Sequence, residues 1–199
     1  MRIRQALRRA RFSILTIALT YVLSVAAGMS MVHSGNEVAL HYRDKLVGTA
    51  TRESSIMRQY QRGNFIAAAG LDALANSAGA LLSIPAGYAI FTGYGIAAFR
   101  GWIGGIVSVD NTHSSRLAKP YQAFYYLVTL ILQLIPYSMA GGAGVNLGIA
   151  TFANPERTGY RGTRLSWLKI PHAALADAEW IYLIVLPLFA VASLFEFTM

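Results

Sequence analysis

The sequence predicts an all-α, polytopic membrane protein with about five membrane segments, one of them short or re-entrant. Three observations carry this. Of 199 residues, 55% are hydrophobic and only 13% are charged, about half the charge of an ordinary soluble domain, which is about 25%. The uncharged positions are gathered into long runs: 12–32, 73–99, 120–155 and 180–195. A hydrocarbon core about 30 Å thick takes about 20 apolar residues as a helix, and the first three runs reach that length. Backbone groups in lipid must be paired within the segment or around a closed barrel. A barrel would show short strands of alternating polarity, whereas these runs are continuous and rich in Leu, Ile, Ala and Gly.

The first segment, 12–32, follows a stretch, 1–11, with five arginines and no acid. Basic, apolar and Ala-Ala-Gly elements in that order also suit a cleaved signal peptide, but the apolar run is long for one. A retained helix is expected, with the N-terminus cytoplasmic by the positive-inside rule. Residues 33–72 carry five basic and four acidic side chains, net +1, as expected outside. In that connector Val38, Leu40, Tyr42, Leu46 and Val47 are interspersed with charge, and Ile56, Met57 and Tyr60 follow. Either helices lying on the outer surface, docked on a partner, or a solvated linker would read this way.

The second segment is 73–99, with a possible kink at Pro85. Arg100, Arg116 and Lys119 against Asp110 give 100–119 a net +2, and Arg157, Arg161, Arg164 and Lys169 against Glu156 give 155–176 a net +3. Both are expected in the cytoplasm, so 120–155 must go out and return. One straight helix of that length would span about 54 Å. Pro136 and Gly141-Gly142 supply a break, dividing the run into 121–139 and a short 142–154. The last segment is 178–197, with the C-terminus outside. Tyr121, Tyr125, Tyr126, Trp180 and Tyr182 stand near proposed ends, where interfacial aromatics belong. The basic stretch 157–169, with Leu165 and Trp167, reads as ordinary positive-inside charge or as a strip held against anionic headgroups.

Small and polar residues inside these runs are the candidate functional positions. Gly101 with Gly105, and Ala140 with Gly144 and Gly148, recur at spacing four and share a helix face; Gly104 stands beside the first pair. Such residues let helix backbones approach closely, for internal packing, a backbone-lined cavity or an oligomer contact. Asn76, Gln133, Asn146 and Glu196 are costly at depth and should face protein or water. Asn76 and Gln133 are expected to hydrogen-bond between helices, Glu196 lies near the outer end of the last segment, and Asp72 and Arg62 read as interfacial. Asp110 and His113 fall in a polar loop.

No catalytic constellation is visible. There is no cysteine, which removes disulfides and thiolate chemistry. His33, His41, His113 and His172 have no zinc spacing, and phosphate-binding, nucleophile-elbow and paired-carboxylate motifs are missing. No cofactor, metal or enzymatic activity is expected. A net charge of +8 does not point to nucleic acid, because the basic residues flank apolar runs instead of forming one patch. Gly93-Tyr94-Gly95 lacks the context of a potassium filter.

Several features in order resemble the stage II sporulation protein M family. These are Asn76 opening a Gly-rich helix with Gly79 and Ser83–Gly87, then Arg100-Gly101 with Gly104. The run Ala140-Gly141-Gly142-Ala143-Gly144-Val145-Asn146-Leu147-Gly148 follows, and Ala192-Ser193-Leu194-Phe195-Glu196-Phe197 closes the series. The resemblance covers about 70–199. Arg100 stands where the family has Asn, Thr129 where it has His and Gln133 where it has Glu. The resemblance implies a multi-pass protein of a prokaryotic cytoplasmic membrane that scaffolds partner proteins. The departures favour assembly over proton-coupled transport, since Thr129 and Gln133 cannot titrate near neutral pH.

Three functions are therefore expected in descending order. The first is a non-enzymatic subunit that anchors or organises a membrane complex, with lipid and other membrane or extracytoplasmic subunits as partners, the latter docking on 33–72. The second is a permease or transporter subunit with a polar site at the broken helices. The third, a membrane-embedded hydrolase, lacks a base beside Ser83 or Ser138.

Overall fold

A helix in lipid keeps every backbone hydrogen bond within itself, and the computed structural model of the chain is built from such helices. It describes residues 2–153, 160, 164–165 and 169–198. The elements are α1 (Arg2–His33), α2 (Glu37–Glu53), α3 (Ser55–Gln61), α4 (Phe65–Tyr88), α5 (Phe91–Ile106), a 3-10 turn at Arg116–Ala118, α6 (Pro120–Phe152) and α7 (His172–Thr198). Four of them, α1, α4, α6 and α7, are long and apolar enough to cross a membrane. Their outward faces carry an apolar belt: Phe12, Leu19, Leu23, Leu74, Leu82, Phe124, Ile131 and Leu183 are all exposed. In water such a belt would be a liability; in lipid it is the expected surface.

Side-chain contacts fix the direction of each helix. Arg9 meets Asp177 at one end of the bundle. At the other end His33 meets Ser115, Tyr125 meets Glu196 and Tyr60 packs edge-to-face with Phe65 and Phe197. The N-terminus, the α4–α5 turn, the end of α6 and the start of α7 therefore share the first end. Residues 33–64, 107–119 and the end of α7 share the second.

This arrangement differs from the expected one in two places. The run 73–99 is not one span. It turns back at Ala89-Ile90, where the carbonyls of Ala86 and Gly87 accept the backbone N–H groups of Ala89 and Ile90. Ile90 takes φ 51°, a backbone conformation costly for a β-branched residue. The second difference is that α6 runs unbroken through Pro136 and Gly141-Gly142. Proline and glycine weaken a helix in water by exposing or losing backbone bonds; here neighbouring helices cover that stretch from Pro136 to Gly148 almost without interruption. At about 1.5 Å per residue, its 33 residues exceed the bilayer core, so its ends project beyond it. As a result 107–119 does not share an end with residues 160, 164–165 and 169–176 of the basic connector. It lies beside 33–64. The basic connector keeps Tyr160, Arg164, Leu165 and Lys169 in view, while Arg157, Arg161 and Trp167 lie outside the described residues.

The helices meet along glycine seams. A methyl group built on Gly144 would stand 2.5 Å from the Ser83 carbonyl oxygen, and one on Gly148 2.5 Å from that of Tyr88. On the other seam, Gly101 and Gly105 press against the Tyr21 and Val25 carbonyls of α1, and Gly104 faces Leu130 of α6. Where lipid tails are as apolar as leucine, this close packing is what holds helices together. Gly144→Ala and Gly101→Ala should each destabilise the fold by about 1–3 kcal/mol through overpacking. Gly95→Ala, whose methyl would meet nothing within 4 Å, should be neutral or stabilising because alanine is the better helix former. Thermal unfolding of the three variants in one detergent measures the contrast.

Candidate functional site

The polar side chains inside the bundle collect at three heights. The central group starts from Arg100 on α5. Its guanidinium lies 4.0 Å from the centre of the Tyr137 ring, a cation–π geometry that strengthens without water. Gly79 makes room for it: a methyl there would stand 2.7 Å from Nη2. The Tyr137 hydroxyl donates to Asn76 Oδ1, and Asn76 Nδ2 donates to Asp72 Oδ2 over 2.8 Å. Ser193 Oγ donates to the same oxygen over 2.7 Å. One chain of contacts thus links α5, α6, α4 and α7.

Nearer the second end, Gln133 Nε2 donates to Glu196 Oε2 over 2.6 Å, and Tyr125 donates to the Glu196 carbonyl over 2.5 Å. Both Gln133 and Glu196 line a hollow of about 130 Å³ that also touches Thr129 and Arg116. At the first end, Asn146 Nδ2 donates to the Tyr160 hydroxyl over 2.8 Å. That hydroxyl donates to Asp177 Oδ2 over 2.8 Å, and Arg9 Nη1 meets the same carboxylate at 3.1 Å. The nominated residues Asn76, Gln133, Asn146 and Glu196 therefore belong to three separate clusters. Gly101, Gly144 and Gly148 are contact points of the seams, while Gly104 also lines the hollow of Gln133 and Glu196.

Two arginines take places that the sequence did not predict. Arg100, expected as loop charge and as the residue at the resembled family's Asn position, lies partly buried within α5; the signal is an arginine with no other charge from Ala73 to Val109. Arg43 is the other, only 2% exposed. It binds Asp44 Oδ1 at 2.9 Å, Asn111 Oδ1 at 2.9 Å and the Val109 carbonyl at 3.3 Å. With Ala39 packed on Val32, Ile106 and Val109, it fastens α2 to the 107–111 loop. Asp110 shapes that loop by accepting from the Thr112 and Ser114 backbones and the Thr112 hydroxyl. Among the described residues no three His, Asp or Glu side chains converge as a metal site.

Outside the membrane the electrostatics can be read directly. The Arg43 hydrogen bond holds the Asp44 carboxyl below its ordinary 3.8, and His113, 2.9 Å away, acts the same way. Hydrogen bonds from Thr112 lower Asp110 likewise. A carboxyl depressed in the folded state stabilises above its unfolded value and loses that contribution as pH falls through the folded one. The α2–loop clasp should therefore loosen below about pH 4. Amide exchange at 107–115 should accelerate there beyond its intrinsic rate, and Asp44→Asn should reduce the pH-dependent part.

The central chain makes a second prediction. Tyr137→Phe keeps the ring under Arg100 and removes the bond to Asn76. A double-mutant cycle of Tyr137→Phe with Asn76→Ala should give a coupling of about 0.6–1.7 kcal/mol, read from unfolding in detergent. Compared with known proteins, the chain matches no family model, no curated protein and no solved structure.

Proposed function

We propose that the chain is a non-enzymatic integral membrane subunit that anchors or organises a larger complex in a prokaryotic cytoplasmic membrane. In this reading the N-terminus is cytoplasmic, and α5, with only 16 residues, is a short fifth crossing between α4 and α6. The end bearing 33–64, 107–119 and the C-terminus then faces outward. Positive-inside charge supports that orientation, since five arginines precede the first apolar run.

The observation that carries the reading is the packed interior. The space enclosed by Ile17, Tyr21, Ser83, Arg100, Tyr137 and their neighbours amounts to about 10 Å³, too little for a permeant solute. A transporter site would gather Asn76, Gln133 and Asn146 around one watery cavity at mid-depth, whereas Asn146 is committed to Tyr160 at one end and Gln133 to Glu196 toward the other. Meanwhile α2 is clamped rigidly by Arg43 and leaves Glu37, Val38, His41, Asp44 and Lys45 exposed. A preorganised outer helix of mixed charge is a natural docking face for an extracytoplasmic partner. The resemblance to the stage II sporulation protein M family agrees with an assembly role.

Extraction from native membranes in mild detergent should recover a partner at constant stoichiometry through two different purification steps. The pair His41→Ala and Lys45→Glu should release an outer partner without lowering thermal stability, since both side chains point to solvent. A lone, monodisperse chain, with no adduct after cross-linking in the intact membrane, would contradict the proposal.

A further inference from the structure

The wall of the bundle is open between α4 and α5. These helices are consecutive, yet α5 packs mainly against α1, leaving a groove of about 660 Å³ lined by Gly79, Leu82, Gly95, Phe99, Arg100 and Ile103. Its rims, Leu82 and Phe99, are exposed. Its base is a cation. Arg100 adjoins Gly101, which touches α1 at the Tyr21 carbonyl. Tyr21 stands nine residues beyond Phe12, where the charge-free run begins. At 1.5 Å per residue this is about 14 Å, close to the midplane of a 30 Å core.

A charge at that depth is costly unless a counter-charge meets it. The ion pairs among the described residues are Arg9–Asp177, Arg43–Asp44 and His113–Asp44, so no carboxylate is in direct contact with Arg100; the acid on its own chain of contacts, Asp72, lies beyond Tyr137 and Asn76. Tyr137 supplies a ring face and leaves the net charge in place.

We propose that the groove between α4 and α5 receives a single membrane helix of a partner subunit, whose Asp or Glu pairs with Arg100 at mid-bilayer. The proposal rests on the assembly role and names the chemistry of one partner. Depth favours a helix over a lipid. Headgroup phosphates lie about 15 Å from the midplane, and the Arg100 side chain turns inward to Tyr137 instead of reaching for them. A helix can carry a carboxylate at any depth.

The chain has no cysteine, so Gly95→Cys, at a position where a Cβ meets nothing within 4 Å, supplies a single thiol in the groove for a fluorophore. The labelled full chain is reconstituted at pH 8 with synthetic Leu-Ala membrane helices bearing a quencher. These carry Glu, Gln or Leu at the centre, or Glu two turns away from it. The central-Glu helix should associate about tenfold more tightly than the central-Leu and displaced-Glu helices. Arg100→Met should remove the difference and Arg100→Lys should retain part of it. If Arg100→Met does not fold, the peptide series on the Arg100 chain still decides. Equal association of the Glu and Leu helices would overturn the proposal. So would a spin-labelled fatty acid that quenches the probe and is not displaced by the central-Glu helix, which would mark a lipid site. Native partners retained undiminished by Arg100→Met would also overturn it, while leaving the assembly role intact.

Discussion

The structure depends on backbone meeting backbone along two glycine seams, α5 against α1 and α6 against α4. At Gly101, Gly105, Gly144 and Gly148 the neighbouring carbonyls stand where a side chain would begin. Leucine-to-leucine contact gains little when lipid is the alternative, so close van der Waals approach must supply the adhesion. The seams also decide what the interior can be. With helices this close, little volume is left inside, and the larger hollows lie at the bundle's surface. They explain in addition why α6 tolerates Pro136 and two adjacent glycines: packed neighbours hold the helix that its own propensity would loosen.

Most polar groups are placed where that packing leaves them an exit or a partner, although the hydroxyls of Ser108, Thr129 and Ser138 are buried without one. Asp72, Asn76, Tyr137 and Ser193 satisfy one another in a chain crossing three helices. Arg9, Asp177, Tyr160 and Asn146 do the same at the first end. Such chains cost little to keep and much to break, because a polar group left alone in a low-dielectric interior loses its water without compensation. Arg100 is different. Among the described residues it has an aromatic face, no carboxylate in direct contact and an opening to the side.

Much of the helical architecture was legible in the sequence, because hydropathy alone marks 12–32 and 178–197. Three features were not. The turn at Ala89-Ile90 carries no charge and no glycine at its apex, since two backbone hydrogen bonds to Ala86 and Gly87 make it. The continuity of α6 was hidden because proline and glycine were weighed as in water. The position of 100–119 was misread through one residue: counting Arg100 as loop charge gives +2, but without it Arg116 and Lys119 against Asp110 leave 2 − 1 = +1. That equals the charge of 33–72, beside which the loop lies. Of the site residues, Asn76, Gln133, Asn146 and Glu196 were found by asking which polar groups lipid would reject. Their division among three clusters follows from tertiary contacts that no local pattern encodes; Arg43 in a charged connector and Arg100 beside a predicted helix end both look like solvent-facing charge.

The pairing of ends is the claim on which the seams, the clusters and the open groove all rest. It is tested by placing single cysteines at Gln5, Gly48 and Asn111 of this cysteine-free chain and labelling intact cells with a membrane-impermeant maleimide. Residues 48 and 111 should react alike, and residue 5 should react only after the membrane is opened. Labelling of 111 together with 5, and apart from 48, would mean that 73–99 crosses as a single helix, and the fold described here would be wrong.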